Sequence, residues 1–166
     1  MAAAFTIRRA RPEDARGMAE VFAATSAEGR WVLTEQVDVD LRAVAFRESI
    51  DDPTSGIFVA EADGAIVGQL IVRASRYGYG EIGMDVAADW RGRGIGTALM
   101  HACIHWARDE GLHKLCLEVF PHNEAARALY RKVGFTEEGL RRKQYRRRNG
   151  ELWDSVPMGL VLAELP

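Results

Sequence analysis

The sequence predicts a mixed α/β fold, and three observations carry that expectation. Strand-like and helix-like apolar periods alternate along the chain. Asp63-Gly64 and Asn149-Gly150 sit between apolar runs and mark hairpins, so antiparallel neighbours join the parallel pairs that strand–helix–strand units make. The stretch Glu81 to Gly111 reads as strand, glycine-rich turn and helix in direct succession. A single domain is expected over residues 1–166, a length that buries a sizeable core.

Each element has its own signal. Phe5 to Arg9 is a short strand candidate. Pro12-Glu13-Asp14 opens a helix, with proline and acids in its first turn, and Ala15, Met18, Ala19 and Phe22 form its apolar stripe. Ser26 to Gln36 is polar and reads as a loop; a second helix covers Val39 to Ile50 and stops at Asp51-Asp52-Pro53. Ile57 to Glu61 and Ala65 to Ala74 are the strands of the Asp-Gly hairpin, and Tyr77 to Gly80 is the next turn. Ile82, Met84 and Val86 alternate with polar or small residues, as one strand with two unlike faces requires. Ile95, Ala98, Leu99, Ala102, Cys103 and Trp106 then recur at helical spacing, and Gly111 is the stop. Lys114 to Phe120 is apolar nearly throughout, as expected of a strand buried on both faces, with Glu118 as the break. Asn123 is the expected N-cap and Gly134 the C-cap of a further helix. Phe135 to Arg147 and Glu151 to Leu162 form a long hairpin around Asn149-Gly150.

Composition excludes several classes. Hydrophobic residues make up 48% of the chain, too many for a disordered segment. The formal net charge of −2 argues against a general nucleic-acid or anionic-membrane binder. No apolar run approaches the ~20 residues that span a bilayer, and MAAAFTIRRA lacks the apolar centre of a signal peptide. Cys103 and Cys116 fall in apolar patterns and read as small buried hydrophobes, no Cys/His spacing suggests a metal, and a reducing, cytoplasmic setting is expected. Six positive charges between Arg141 and Arg148 leave the rest of the chain at −8, from −2 − 6. On a strand beside a turn, that run is expected to be solvated or to protect an edge.

The junction between the strand ending at Val86 and the following helix points to anion binding. Arg91-Gly92-Arg93-Gly94-Ile95-Gly96 places glycine at every second position, where the backbone can approach a ligand closely. The first amides of a helix lack intrahelical partners and carry partial positive charge, a natural seat for a diphosphate. Neither the dinucleotide pattern G-x-G-x-x-G nor the phosphate-loop pattern G-x-x-x-x-G-K-[ST] is present.

Arg91 to Gly96 resembles the R/Q-x-x-G-x-G/A pattern of the GNAT superfamily, the acetyl-CoA-dependent N-acetyltransferases. Asn123-Glu-Ala-Ala-Arg-Ala-Leu-Tyr130-Arg-Lys-Val-Gly134-Phe135 resembles the family's N-x-x-A-x-x-L-Y-x-K-x-G-F signature, in the right order and at the right separation. The resemblance covers essentially the whole chain and is weakest before residue 55. It implies a twisted mixed sheet of about six to seven strands, splayed in its middle, with helices on both faces. It also implies acetyl-CoA as co-substrate and no metal.

Carried over residue by residue, the resemblance puts cofactor contacts on Met84, Val86, Arg91, Gly92, Arg93, Gly94, Gly96, Thr97 and Asn123, with a backbone N–H near Val86 facing the thioester oxygen. Tyr130 matches the tyrosine that protonates the departing thiolate; helix packing is its alternative role. Glu118 stands five residues before Asn123, the spacing of the catalytic glutamate in ribosomal-protein alanine N-acetyltransferases. A carboxylate desolvated on a buried strand has the basicity the reaction needs, and a strand-end ion pair is its alternative role. Histone-type members use a glutamate where this chain has Gly80, with Glu81 one residue off and facing the other side; Asp85 is a further candidate. The first two helices and their connection form the family's acceptor site, which makes Trp31 and Glu35 candidates for substrate contact.

The implied reaction is direct attack of a bound amine on the thioester, because no Cys or Ser stands where a nucleophile would be needed. Alkyl amines have a pKa of about 10 and α-amino groups of about 8, so a base must remove a proton at neutral pH. The segment from Glu138 to Met158 is similar to members acting on amino acids or other small amines; protein N-termini are the alternative acceptor. The competing classes are a non-catalytic acyl-CoA-binding module and a nucleic-acid binder using the arginine run. Exposed sheet edges and an apolar C-terminal strand suit a homodimer.

Overall fold

The structure is a computed structural model that describes residues 4–163. In chain order its elements are β1 (Thr6–Arg9), α1 (Ala15–Ala27), α2 (Val39–Asp51), β2 (Ser55–Ala62), β3 (Ala65–Ala74), β4 (Tyr79–Val86), α3 (Ile95–Asp109), β5 (Lys114–Val119), α4 (Glu124–Lys132), β6 (Thr136–Glu137), β7 (Arg141–Arg146) and β8 (Leu152–Val161). The sheet runs β1-β2-β3-β4-β5-β8-β6, with β7 paired to β8. Only β4 and β5 pair in parallel; every other neighbour is antiparallel. No helix among the described residues is long and apolar enough to cross a membrane.

Registers assign the faces. Gly68, Leu70 and Val72 of β3 stand opposite Val86, Met84 and Ile82 of β4, and this face packs under α3 and α4 with Leu99, Met100, Cys103 and Leu115 in one core. Gln69, Ile71 and Arg73 stand opposite Asp85, Gly83 and Glu81 on the other face, where Met18, Ala19, Phe46, Ile57 and Val59 form a smaller core under α1 and α2. The sheet is therefore covered by helices on both sides, as expected. Both hairpin turns are present, with different chemistry. Asp63 (φ +50°) and Gly64 (φ +78°) both adopt left-handed backbone, the two-residue turn whose twist matches its strands. Asn149-Gly150 belongs to a longer loop closed by Arg147 N–H to Glu151 O at 2.8 Å, with Gly150 at φ +91°.

Three boundaries and one burial pattern differ from the sequence expectation. Phe135 to Arg147 is two short strands, because the chain leaves the sheet between Glu138 and Leu140 with Gly139 at φ +151°; this raises the strand number to eight. Helix α1 continues through Ser26 and Ala27, taking the start of the expected loop. Strand β4 begins at Tyr79, within the expected turn. Strand β5 is not buried on both faces: Leu115, Leu117 and Val119 are buried, while Cys116 is partly open and Glu118 exposed. Its second face, on the side of Glu81, lies beyond α1 and α2, which pack over β2, β3 and β4. Strands β4 and β5 pair only at Tyr79–Lys114, Gly80–Leu115 and Glu81–Cys116 and then diverge.

Glycine at position 80 is enforced by packing at that short junction. A Cβ there would lie 2.9 Å from Val72 Cγ2 and 3.0 Å from both Leu112 Cδ1 and Leu115 Cδ2. Position 80, where the resemblance to histone-type members would place a glutamate, has no room for one here. Gly80→Ala should destabilise the protein by about 1–3 kcal/mol through overpacking. Urea unfolding should show the midpoint fall at unchanged slope; an unaltered midpoint would mean the surroundings yield freely.

Candidate active site

Where β4 and β5 part, a cleft of about 1170 Å³ opens between the two faces. Of the residues assigned from sequence, Met84, Val86, Arg91, Gly92, Gly94, Gly96, Thr97, Glu118, Asn123, Tyr130 and Trp31 line it. Past Glu81 the β5-facing backbone groups of β4 have no strand partner, which leaves donors and acceptors for an extended ligand to pair with.

The turn after β4 has the shape an anion seat requires. Gly92 (φ +73°) and Gly94 (φ +87°) adopt left-handed backbone, and a Cβ on either would meet no atom within 4 Å, so the space above them is open. Ala98 is the first residue of α3 whose amide bonds a carbonyl, that of Gly94 at 3.0 Å. The amides before it face outward from the helix start. These residues fit a coenzyme A diphosphate. Gly96 acts differently: a Cβ there would lie 2.6 Å from Leu129 Cδ1, so this glycine lets α3 approach α4.

The two arginines of the turn are already engaged. Arg91 bonds both carboxylate oxygens of Glu28 (2.9 and 2.6 Å) and donates to Val86 O (3.0 Å), tying the end of α1 to the end of β4. Arg93 lies outside the cleft lining, its guanidinium stacked over Trp90 at 4.7 Å.

On α4, Asn123 caps its helix, accepting from Ala126 N–H at 3.3 Å, and also faces the cleft. Tyr130 is buried with 7% exposure beside Phe135, and burial pushes its phenol up to about 12. It therefore keeps its proton throughout the neutral range.

Glu81, Asp85, Glu118 and Glu138 line the cleft, and Asp85 and Glu118 stand on the diverging parts of β4 and β5. Glu118 is partly exposed and accepts from Arg141, from Tyr145 Oη (2.7 Å) and from Ser155 Oγ (2.9 Å). Asp85 projects toward α1 and accepts from Gln69 Nε2 (2.9 Å) and Thr25 Oγ1 (3.4 Å). Burial raises its carboxyl to about 7, against the lowering effect of those two bonds and of Arg91. Gln69 is 2% exposed and its Nε2 also donates to Met18 O at 3.1 Å, which fixes its orientation.

The wall beyond Glu118 is aromatic. His122 packs against Phe120, Trp153 and Trp31, and Arg147, 4% exposed, lies over Trp153 (4.3 Å) and Phe120 (5.4 Å). Arg147 also donates to Leu33 O at 2.9 Å, so the β7–β8 hairpin holds the α1–α2 connection. Glu35 is not brought to the cleft; it accepts from Arg148 N–H (3.0 Å) and lies 3.6 Å from Arg147 Nε. The arginine run is thus not uniformly solvated. Arg147 is buried, Arg141 pairs with Glu118 while remaining exposed, because β7 folds over the open face of β5, and Arg142, Lys143, Arg146 and Arg148 are exposed. Among the described residues, no group of three or more His, Cys, Asp or Glu could hold a metal ion.

Comparison with known proteins agrees with this geometry. The profile of the acetyltransferase (GNAT) family matches residues 18–135. The N-alpha-acetyltransferase RimI of Mycobacterium tuberculosis is 39% identical over 108 residues, 61% of this chain and 65% of its own length, so the match spans just under two thirds of that relative. The L-amino acid N-acetyltransferase AaaT of Escherichia coli is 35% identical over 119 residues, covering 67% and 71% of the two chains. The structure of YncA from Salmonella typhimurium, solved with acetyl-CoA, superposes with a TM-score of 0.87 at 24% identity, over 99% of this chain and 97% of that one. With the profile spanning more than half of the chain and the splayed sheet in place, the protein belongs to the acetyltransferase (GNAT) family.

Proposed function

We propose that the protein transfers the acetyl group of acetyl-CoA to the primary amine of an amino acid or a similar small acceptor. The observation that carries this reading is the open backbone edge of β4, running from the divergence point to the glycine turn and facing Tyr130 across one cleft. Gly92, Gly94 and the free amides of α3 would hold the diphosphate, and the edge at Met84 and Val86 would pair with the pantetheine arm. Acetyl-CoA supplies the activated acyl group. The chain's own part is to align the amine, take its proton and stabilise the departing sulfur. Tyr130, protonated and buried, is the donor to that sulfur. Of the carboxylates that line the cleft, Glu81, Asp85, Glu118 and Glu138, Asp85 and Glu118 stand on the parts of β4 and β5 that have separated.

Charge on the acceptor side favours an amine that also bears a carboxylate. Arg42 and Arg73 line the cleft, and neither makes an ion pair within 4 Å among the described residues. Arg42 stacks on Phe22 (4.9 Å), and Arg73 donates to Ser49 Oγ (3.3 Å). A polycationic acceptor would meet both guanidiniums unfavourably. The relative AaaT, named for L-amino acids, points the same way. RimI, named for N-alpha acetylation, supports a protein N-terminus as the second reading. A reducing, cytoplasmic setting suits the free Cys103 and Cys116.

Incubation with acetyl-CoA and a panel of L-amino acids, their amides, and peptides with free N-termini should release thiol fastest with one of the free amino acids. Masking that acceptor's carboxylate as the amide should raise KM at least tenfold, the order of one lost charge-assisted contact. Peptides outrunning every free amino acid would reverse the assignment of acceptor. Tyr130→Phe should lower kcat by about 10²-fold while the acetyl-CoA Kd stays within about twofold, since loss of an acid affects the chemical step. An unchanged single-turnover rate would remove Tyr130 from the reaction.

A further inference from the structure

The geometry points to Asp85, oriented by Gln69 and Thr25, as the group that takes the proton from the acceptor amine. This rests on the acetyltransferase reading and adds the identity of its base.

Position comes first. Asp85 shares a face of the sheet with Gln69, Ile71, Arg73 and Glu81, the face covered by α1 and α2, while Met84 and Val86 turn to the opposite face. It lies four residues past Glu81, the last β4 residue paired with β5, and so within the opening. An amine entering under α1 and α2 reaches its carboxylate from one side of β4, and the unpaired strand edge lies beside it. Glu118 reaches the same cleft from β5, but a guanidinium and two hydroxyls already occupy its oxygens. Asp85 is less committed. Its Oδ1 accepts a 2.9 Å bond from Gln69, and its Oδ2 has only the long 3.4 Å contact with Thr25. A lone pair therefore remains for an incoming N–H.

Gln69 supplies an independent sign. Its Oε1 is buried with no hydrogen-bond partner, an arrangement a folded protein avoids unless the rest of the side chain is needed. The other end of that amide is what holds Asp85. The groups that surround Asp85 are few: Thr25 from α1, Gln69 from β3, Glu81 further along β4, and Arg91 from the turn, itself neutralised by Glu28. Arg42 and Arg73 line the same side of the cleft. With burial outweighing those bonds, the carboxyl is raised to about 7, which suits a group that accepts a proton from an ammonium.

The step balances. Asp85 takes one proton from the ammonium, leaving a neutral amine. The nitrogen forms its bond to the thioester carbonyl carbon and the C–S bond breaks. The thiolate takes a proton from Tyr130, which regains one from the newly formed amide nitrogen. Asp85 returns its proton to solvent.

The test compares wild type, Asp85→Asn and Glu118→Gln, with acetyl-CoA and the free amino acid turned over fastest in the panel. Wild-type kcat/KM should fall about tenfold per pH unit below about pH 7. Asp85→Asn should lower kcat by about 10²-fold or more and abolish that acid limb, while Glu118→Gln keeps the limb. A limb that survives in Asp85→Asn, or disappears in Glu118→Gln, overturns the assignment and leaves the acetyltransferase reading intact. Failure of the wild type to transfer to any acceptor, with acetyl-CoA still bound, overturns both. Unfolding supplies a readout without turnover. A carboxyl whose folded pKa is raised from 3.8 to about 7 stabilises the fold below the lower value and loses that contribution as pH rises to the higher. The Tm of Asp85→Asn relative to wild type should therefore rise between about pH 4 and pH 7 and level off above. A Tm difference that does not change with pH shows an ordinary carboxylate and overturns the proposal.

Discussion

The shortness of one strand pairing sets the rest of this molecule. Strands β4 and β5 share three residue pairs and then separate. Each strand has a firm antiparallel neighbour on its outer side, β3 for β4 and β8 for β5, so divergence costs neither its own place in a sheet. What it does cost is a row of backbone hydrogen bonds along the inner edges. Buried without partners, such groups are expensive; opened onto a cleft, they become recognition elements. The glycine turn and the start of α3 lie at the end of that edge, so under the proposed function one discontinuity would supply both a slot for an extended chain and a seat for its anionic end.

The separated halves are then braced. Arg91 and Glu28 join the end of α1 to the end of β4. Arg147 reaches from the β7–β8 hairpin to carbonyls of the α1–α2 connection and lies against Trp153 and Phe120. Burying a guanidinium demands partners, and this one has carbonyls, Glu35 and two aromatic faces. These contacts span more than sixty and more than a hundred residues of sequence, and they set the acceptor side of the cleft.

Much of this was legible in the residues. Period-two and helical stripes located most of the strands and the helices, and Asp-Gly and Asn-Gly located the hairpins. The asparagine expected to cap α4 does so. The family was legible at Arg91–Gly96 and Asn123–Phe135, because glycine spacing and a cap-to-tyrosine interval are local properties. The long-range partnerships were not legible. Nothing near Arg91 announces Glu28, and nothing in the run 141–148 says that Arg147 rather than Arg146 is the buried member. Strand β5 misled for the same reason: an apolar run implies two covered faces, and α1 and α2 cover one face of β2, β3 and β4 but not of β5. Asp85 stood in the alternating pattern of β4, but its environment depends on Thr25 and Gln69, sixty residues before it and sixteen.

The brace at Arg147 has an evolutionary corollary. The wall that would face an acceptor is assembled from two segments, residues 29–33 and the β7–β8 hairpin, locked together by one side chain. Neither segment can drift alone without unseating that guanidinium. A changed acceptor preference should therefore need paired changes in both segments, which leave the contiguous turn from Arg91 to Gly96 untouched.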